Sequence, residues 1–445
     1  MKSTALFTDL YELTMGQSYF ETLGVKATFE LFVRNLPPNR GYLIAAGLED
    51  VCKYLLNFRF VDDDIEFLKE RGFKDEFLDF LREIRFTGDV WAIPEGELVF
   101  QNEPMLRVTA PIIEAQLFET FVINTINFQT LIATKASRVV SSAKGRPVID
   151  FGSRRAHGFD AGLKAARASY IGGCIGTSNV LAGKLYKMPI YGTMAHSYIE
   201  AFSNEKEAFK AWLKSWGTDT ILLIDTYDTL RGVRNAIEAV KELTGRRMLK
   251  GVRIDSGRLV NLSKEVRRIL DEAGFEATKI FVSGGLDEYT IGDYLEEGGV
   301  ADFFGIGSSM VTSDDAPKID IVYKLVESEE NGKLIPKMKI AEGEKITLPG
   351  AKQVFRIGDE DKYVRDIIGL SQENLLGEKK LVQIFKNGEL LYKLPTLDKI
   401  RERAQAELRK LPDECRRIRN PATYPVEVSR ELLKLTERMR KNLLA

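Results

Sequence analysis

Apolar and polar positions along the chain change rhythm several times, and each change predicts a different kind of element. Residues 4 to 21 place Leu6, Leu10, Tyr11, Leu13 and Met15 at helical spacing, with Thr8 and Asp9 available to cap the start. Lys26–Val33 alternates with a period of two and predicts a strand, broken by the turn residues of Leu36-Pro-Pro-Asn-Arg-Gly41. Helices are predicted over about 46–58 and 62–84. From 87 to 112, short apolar runs separated by Pro and Gly predict an antiparallel meander. A long amphipathic helix over about 113–143 then links two domains.

From Val148 the pattern becomes a series of short apolar strands, each followed by a helical segment. The strands are 148–151, 173–176, 189–192, 221–225, 251–255, 279–283 and 303–307. Alternation of this kind predicts parallel strands with helical crossovers, and continuous apolar strands predict burial on both faces. The fold class is therefore α/β: an irregular seven-stranded α/β barrel with an N-terminal α/β domain and a C-terminal α+β region. A doubly wound open sheet is the alternative. After about residue 318 the rhythm stops. Strands near 319–326 and 381–391, with Asn387-Gly388 as a hairpin signal, precede helices from about 399 and 425. The domains so read are 1–143, 144–317 and 318–445.

Composition narrows the function. The 445 residues carry 64 basic and 65 acidic side chains, so the net charge is −1 and no overall field draws the protein to nucleic acid or a membrane surface. No apolar run is long enough to span a membrane, and the N-terminal residues carry no secretory pattern. Cys52, Cys174 and Cys415 are scattered, which argues against a disulfide framework or a cysteine-rich zinc site and favours the cytoplasm.

Candidate chemistry sits at the strand ends, where α/β folds put their sites. There are only two histidines. One of them, His196, follows the third strand in Gly192-Thr-Met-Ala-His196; the bland reading is a histidine bonded within a packed loop. The first strand leads into Gly152-Ser-Arg-Arg-Ala-His157, where Arg154 and Arg155 can fork onto an anion. The fourth ends at Asp225. The fifth reads Val252-Arg-Ile-Asp-Ser-Gly257, whose Arg253, inside an apolar strand, must meet an acid or an anionic ligand. Asp255 could hold Mg²⁺ through water, or simply pair with Arg253. Gly284-Gly285 after the sixth strand, and Gly305, Gly307 and Ser308 in and after the seventh, suit a monophosphate. The constellation fits transfer of a phosphorylated sugar.

Thr8-Asp-Leu-Tyr-Glu-Leu-Thr-Met, Asp150-Phe-Gly-Ser-Arg-Arg-Ala-His-Gly, Gly192-Thr-Met-Ala-His-Ser, Val252-Arg-Ile-Asp-Ser-Gly and Phe304-Gly-Ile-Gly-Ser, in this order, resemble the nicotinate phosphoribosyltransferase family. The resemblance implies a type II phosphoribosyltransferase that joins nicotinate and 5-phosphoribosyl 1-diphosphate at the start of NAD salvage. The implied products are nicotinate mononucleotide and pyrophosphate. It implies ATP as co-substrate, hence a ligase-class enzyme, with His196 phosphorylated in the cycle and His157 in support. It further implies Mg²⁺ and a homodimer with shared active sites, in which Tyr11 reaches nicotinate in the partner's site. Thr193, Arg253, Arg154 and Arg155 would contact nicotinate or the diphosphate. Asp225 and Asp255 would take ribose hydroxyls or Mg²⁺, and Gly284, Gly285, Gly305, Gly307 and Ser308 the 5-phosphate. No structural zinc is expected, since only Cys415 lies in the tail. A nicotinamide phosphoribosyltransferase and an inactive ligand-binding paralogue are the alternatives; the Gly-Thr-Met-Ala-His loop argues against a quinolinate enzyme.

Overall fold

A computed structural model describes residues 5–245, 247–340 and 347–444. The chain forms two compact units, Met1–Leu131 with Lys318–Ala445, and Ile132–Pro317. The C-terminal region expected as a third domain thus shares a unit with the N-terminal region. The reason is a long-range strand pair. Lys26–Val33 lies antiparallel to Ile321–Glu330, with Val33 opposite Ile321, and on its other side to Pro104–Pro111. The first unit passes into the second between Leu131 and Ile132, within the helix Glu119–Ser142.

The first unit is built on a seven-stranded sheet in the order Lys333–Pro336, Ile321–Glu330, Lys26–Val33, Pro104–Pro111, Asp89–Ala92, Val382–Lys386, Glu389–Leu390. The strand predicted over Lys26–Val33 is present, and every residue after Lys26 is buried. The polar positions are paired rather than hydrated. Thr28 meets Thr109 at 3.0 Å, and Glu30 holds Lys352 Nζ at 2.8 Å. The 87–112 meander is interrupted, because Leu98–Val99 pairs with Leu43–Ile44 instead of its sequence neighbours. Asn387 and Gly388, both at positive φ, do turn a hairpin. The helix expected over 62–84 is two, Asp62–Glu70 and Asp75–Glu83, separated at Gly72, whose φ is +87°. The first helix begins at Leu10 with Asp9 at its N-cap position, where the Thr8-Asp9 pair placed the start; residue 4, the first of the apolar spacing, lies outside the described residues.

The second unit carries the parallel series. Five strands are hydrogen-bonded in the order Val148–Asp150, Phe303–Ile306, Lys279–Val282, Gly251–Ile254, Ile221–Leu223. Parallel bridges from Asp150 to Thr177 and from Thr177 to Ile190 add the second and third segments. In chain order the sequence across the sheet is 3-2-1-7-6-5-4, which is a seven-membered ring opened between its third and fourth members. Among the described residues no backbone bridge joins those two.

The crossover helices follow their sequence. In Thr229–Thr244, Asp228 accepts from Arg231 N at 2.7 Å as N-cap, and Gly245 at φ +63° ends the helix. Val233, Ala236, Ile237 and Val240 bury one face, the valines and isoleucine contributing about 1.5–3 kcal/mol each. A charge at Val233 would break that face. Val148, Leu222, Val252, Ile280 and Phe304, one from each strand, are buried in the core of this unit.

Candidate functional site

A chain of contacts runs through all seven strand exits. Thr177 donates to Asp150 Oδ2 at 2.6 Å, and Tyr191 N to the Thr177 carbonyl at 2.9 Å. His196 Nδ1 lies 3.1 Å from Thr226 Oγ1, and Asp255 N donates to Asp225 Oδ2 at 2.9 Å. Ser283 Oγ donates to Asp255 Oδ1 at 2.5 Å, Ser309 Oγ to the Leu286 carbonyl at 2.5 Å, and Phe151 N to the Ile306 carbonyl at 2.7 Å. Every exit is thereby tied to the next, and the third–fourth contact, the place without a backbone bridge, is made by His196.

His196 opens the short helix His196–Glu200 and is partly exposed. Its Nε2 stands 3.9 Å from Asp255 Oδ2, too far for a hydrogen bond. Nearby, Arg253 donates from Nη1 to Thr193 Oγ1 at 2.6 Å, while its buried Nε finds no partner among the described residues. Burial pushes the guanidinium below the usual arginine range; Asp255 and Asp225 oppose this, and Arg154 adds to it. Two like charges within electrostatic reach, one with an unspent donor, favour an anion between them.

Asp225 is buried. Its Oδ2 accepts from Asp255 N and from Ser256 Oγ at 2.7 Å, but Oδ1 has no partner among the described residues. An orphaned carboxylate oxygen beside a second carboxylate is a hard-oxygen donor set, which suits Mg²⁺ completed by water or substrate oxygens. Among the described residues no group of three His, Cys, Asp or Glu side chains is placed to hold a metal unaided.

The glycine turn is sterically required. Gly284 has φ +90°, and a Cβ there would lie 1.8 Å from the Asp255 carbonyl oxygen; Gly285 has φ +65° and open space. Gly307 and Ser308 lie just past the seventh strand, where Ser309 ties them to the Gly284–Leu286 turn. Gly305 departs from the expected phosphate cradle. It sits inside the strand opposite Ile149, and a Cβ there would strike the rings of Phe151 and Phe281. Its lack of a side chain is a packing requirement of the core.

Asp150 shapes the arginine loop. It is buried, its carboxyl is pushed up by that burial, and Thr177 and the Gly152 N–H oppose the shift. Gly152 is needed because a Cβ would come within 2.0 Å of Val311. Asn179 donates to Ser153 Oγ at 2.7 Å, and the turn Ser153–Arg155 leaves Arg154, Arg155 and His157 exposed. Tyr11 belongs to the first unit, about half exposed on the helix Leu10–Thr22.

The structure brings His196, Thr193, Arg253, Asp225, Asp255, Gly284 and Gly285 together. Sequence reasoning missed the hydroxyls that connect them, Thr226, Ser256 and Ser283. Each lies one to three residues past the end of a strand, and that position is the one signal that could have marked them. Among the described residues no helix is long and apolar enough to cross a membrane.

The model of the nicotinate phosphoribosyltransferase N-terminal domain matches residues 6–127, that of the nicotinate phosphoribosyltransferase family residues 147–359, and that of the C-terminal domain residues 377–436. A nicotinate phosphoribosyltransferase of Mycobacterium tuberculosis is 48% identical over 440 residues, 98% of this chain and 94% of its own. That of Bacillus subtilis is 42% identical over 460 residues, 96% and 94% of the two chains. The crystal structure of human nicotinic acid phosphoribosyltransferase matches with a TM-score of 0.85 at 30% identity, covering 97% of this chain and 99% of its own. A nicotinate-nucleotide pyrophosphorylase from Pyrococcus furiosus matches at 0.74 and 28%, covering 91% and 95%.

Proposed function

The chain belongs to the nicotinate phosphoribosyltransferase family, and from that premise we propose an ATP-coupled cycle at the mouth of its parallel strands. Nicotinate and 5-phosphoribosyl 1-diphosphate give nicotinate mononucleotide and pyrophosphate, the entry of nicotinate into NAD synthesis. ATP hydrolysis drives the cycle through a phosphohistidine at His196. The observation that carries this reading is the convergence of His196, Arg253, Asp225, Asp255 and the Gly284–Gly285 turn on one set of strand exits.

Each residue has a role its geometry supports. Arg253 spends Nη1 on Thr193, so Nε and Nη2 remain as the parallel pair that matches a carboxylate. That favours nicotinate over its amide, which offers one acceptor oxygen instead of two. Arg154 and Arg155 serve the same carboxylate or the diphosphate. Gly284, Gly285, Gly307 and Ser308 bring backbone close to the 5-phosphate. Asp225 and Asp255 would hold Mg²⁺, which when bound neutralises diphosphate charge. The remaining work of the chain is positioning: the pyridine nitrogen has a free lone pair, so its attack on C1 of the ribose needs alignment and no general base. Tyr11, exposed on its helix, would reach nicotinate in a second copy, making a homodimer the working form.

The test is direct. Purified protein is mixed with labelled nicotinate or nicotinamide, 5-phosphoribosyl 1-diphosphate and Mg²⁺, with and without ATP, alongside His196→Ala. The reading expects turnover of nicotinate, stimulation by ATP, and loss of that stimulation in the variant. Turnover of nicotinamide alone, or ATP stimulation unchanged in His196→Ala, overturns it.

A further inference from the structure

His196 has two ring nitrogens, and the structure treats them differently. Nδ1 is engaged by Thr226 Oγ1 at 3.1 Å, while Nε2 looks toward Asp255 Oδ2 at 3.9 Å without a hydrogen bond. Building on the phosphohistidine reading above, we propose that Thr226 is the positioning residue for His196, holding Nδ1 so that Nε2 takes the phosphoryl group.

Three features carry this. First, a hydroxyl both donates and accepts, so Thr226 can receive the Nδ1 proton and leave the Nε2 lone pair free. The neutral imidazole is then a nucleophile in one direction only. Second, the strand exit that carries the hydroxyl is tied down. Thr226 follows Asp225, whose Oδ2 is held by Asp255 N and Ser256 Oγ, so the fourth exit is tied to the fifth immediately before it. Third, the direction is productive. Nε2 points to Asp255, and Asp255 is bonded through Ser283 to the strand exit that leads into the Gly284–Gly285 turn. A phosphoryl group on Nδ1 would displace Thr226 and break the contact that joins the third and fourth exits. In the step itself, the Nε2 lone pair forms the N–P bond to the γ-phosphorus of ATP. The bond from that phosphorus to the bridging oxygen breaks, and its electron pair leaves with ADP. The Nδ1 proton stays on the ring, shared with Thr226.

The experiment uses the full chain with ATP and Mg²⁺. Phosphorus and nitrogen NMR of the ¹⁵N-histidine protein identifies which isomer forms. The Nε2 isomer is expected; the Nδ1 isomer overturns the proposal. Thr226→Val, which keeps shape and loses the hydroxyl, is expected to lower kcat for ATP hydrolysis about tenfold with KM for ATP little changed, as the loss of one hydrogen bond implies. It should also yield a mixture of isomers, and Thr226→Ser should restore both rate and isomer. Thermal melting of each variant separates this from misfolding. Normal rate and a single isomer in a folded Thr226→Val, with the wild type still phosphorylated, overturn the role of Thr226 alone. A wild type that never becomes phosphorylated overturns the phosphohistidine reading, and this proposal with it.

Discussion

Arg253 Nη1 and Thr193 Oγ1 meet at 2.6 Å, an arginine inside the fifth strand reaching a threonine beyond the third. The contact sets the guanidinium's orientation and leaves its buried Nε unspent. Arg253→Lys keeps the charge and loses the planar fork, so KM for nicotinate should rise on the order of tenfold or more, from a charged hydrogen bond worth about 1.5–3 kcal/mol. Steady-state kinetics with nicotinate varied check this. An unchanged KM would separate Arg253 from the carboxylate.

Asp225 offers a contrast between charge and shape. Asp225→Asn retains an oxygen to accept from Asp255 N and Ser256 Oγ, so the melting temperature should hardly move. Half-maximal activity should need more Mg²⁺, because one of two hard anionic donors is gone. Asp225→Ala removes the acceptor shared by the partly exposed Asp255 N–H and Ser256 hydroxyl and should cost about 1 kcal/mol of stability.

The adjacent glycines should respond differently to the same change. Gly284→Ala forces a methyl group into the Asp255 carbonyl, so the turn must move and KM for 5-phosphoribosyl 1-diphosphate should rise steeply. Gly285→Ala meets open space and faces only the left-handed backbone, with an expected loss of about 1 kcal/mol. Paired melting and kinetic measurements distinguish the two; equal effects would remove the steric argument.

Glu12 gives a pH dependence. It is buried in the first unit, accepting from Thr8 and from Thr120 at 2.7 Å, and its carboxyl is pushed up to about 7. Burial is the main cause; the two threonines oppose it, and Glu119 and Asp9 add to it. The unfolded chain releases this proton near the ordinary value of 4.5, and the folded protein holds it to about 7. Stability therefore falls as pH rises between those values, by about 3 kcal/mol, and the contribution is level above them. Glu12→Gln, which mimics the protonated form, should show a flatter melting profile between pH 4.5 and 7 and melt higher than the wild type at pH 8.

Much of the second unit was legible because its signals are local. Val148–Asp150, Ile221–Leu223, Gly251–Ile254, Lys279–Val282 and Phe303–Ile306 stand where apolar runs alternate with helices, and their polar ends mark the mouth. The second and third segments shrank to single bridges at Thr177 and Ile190, since a predicted run of apolar residues says nothing about how much ladder it will form. Partner choice was not legible. Leu98–Val99 joins Leu43–Ile44, and Ile321–Glu330 joins Lys26–Val33, pairings set by burial of distant surfaces. Gly305 read like Gly284, because a glycine serving aromatic packing and one serving a turn leave the same letter in the sequence.

The pairing of Lys26–Val33 with Ile321–Glu330 has a consequence for how the protein is made. On the ribosome, the early strand emerges with one flank unzipped, and its complement is about 290 residues away, roughly 15–60 s at ordinary elongation speeds. The parallel series lies entirely within that interval and can condense first. Completion of the first sheet then waits for late synthesis, so a nascent chain stalled before residue 321 carries a naked adhesive edge, the kind of surface that chaperones guard.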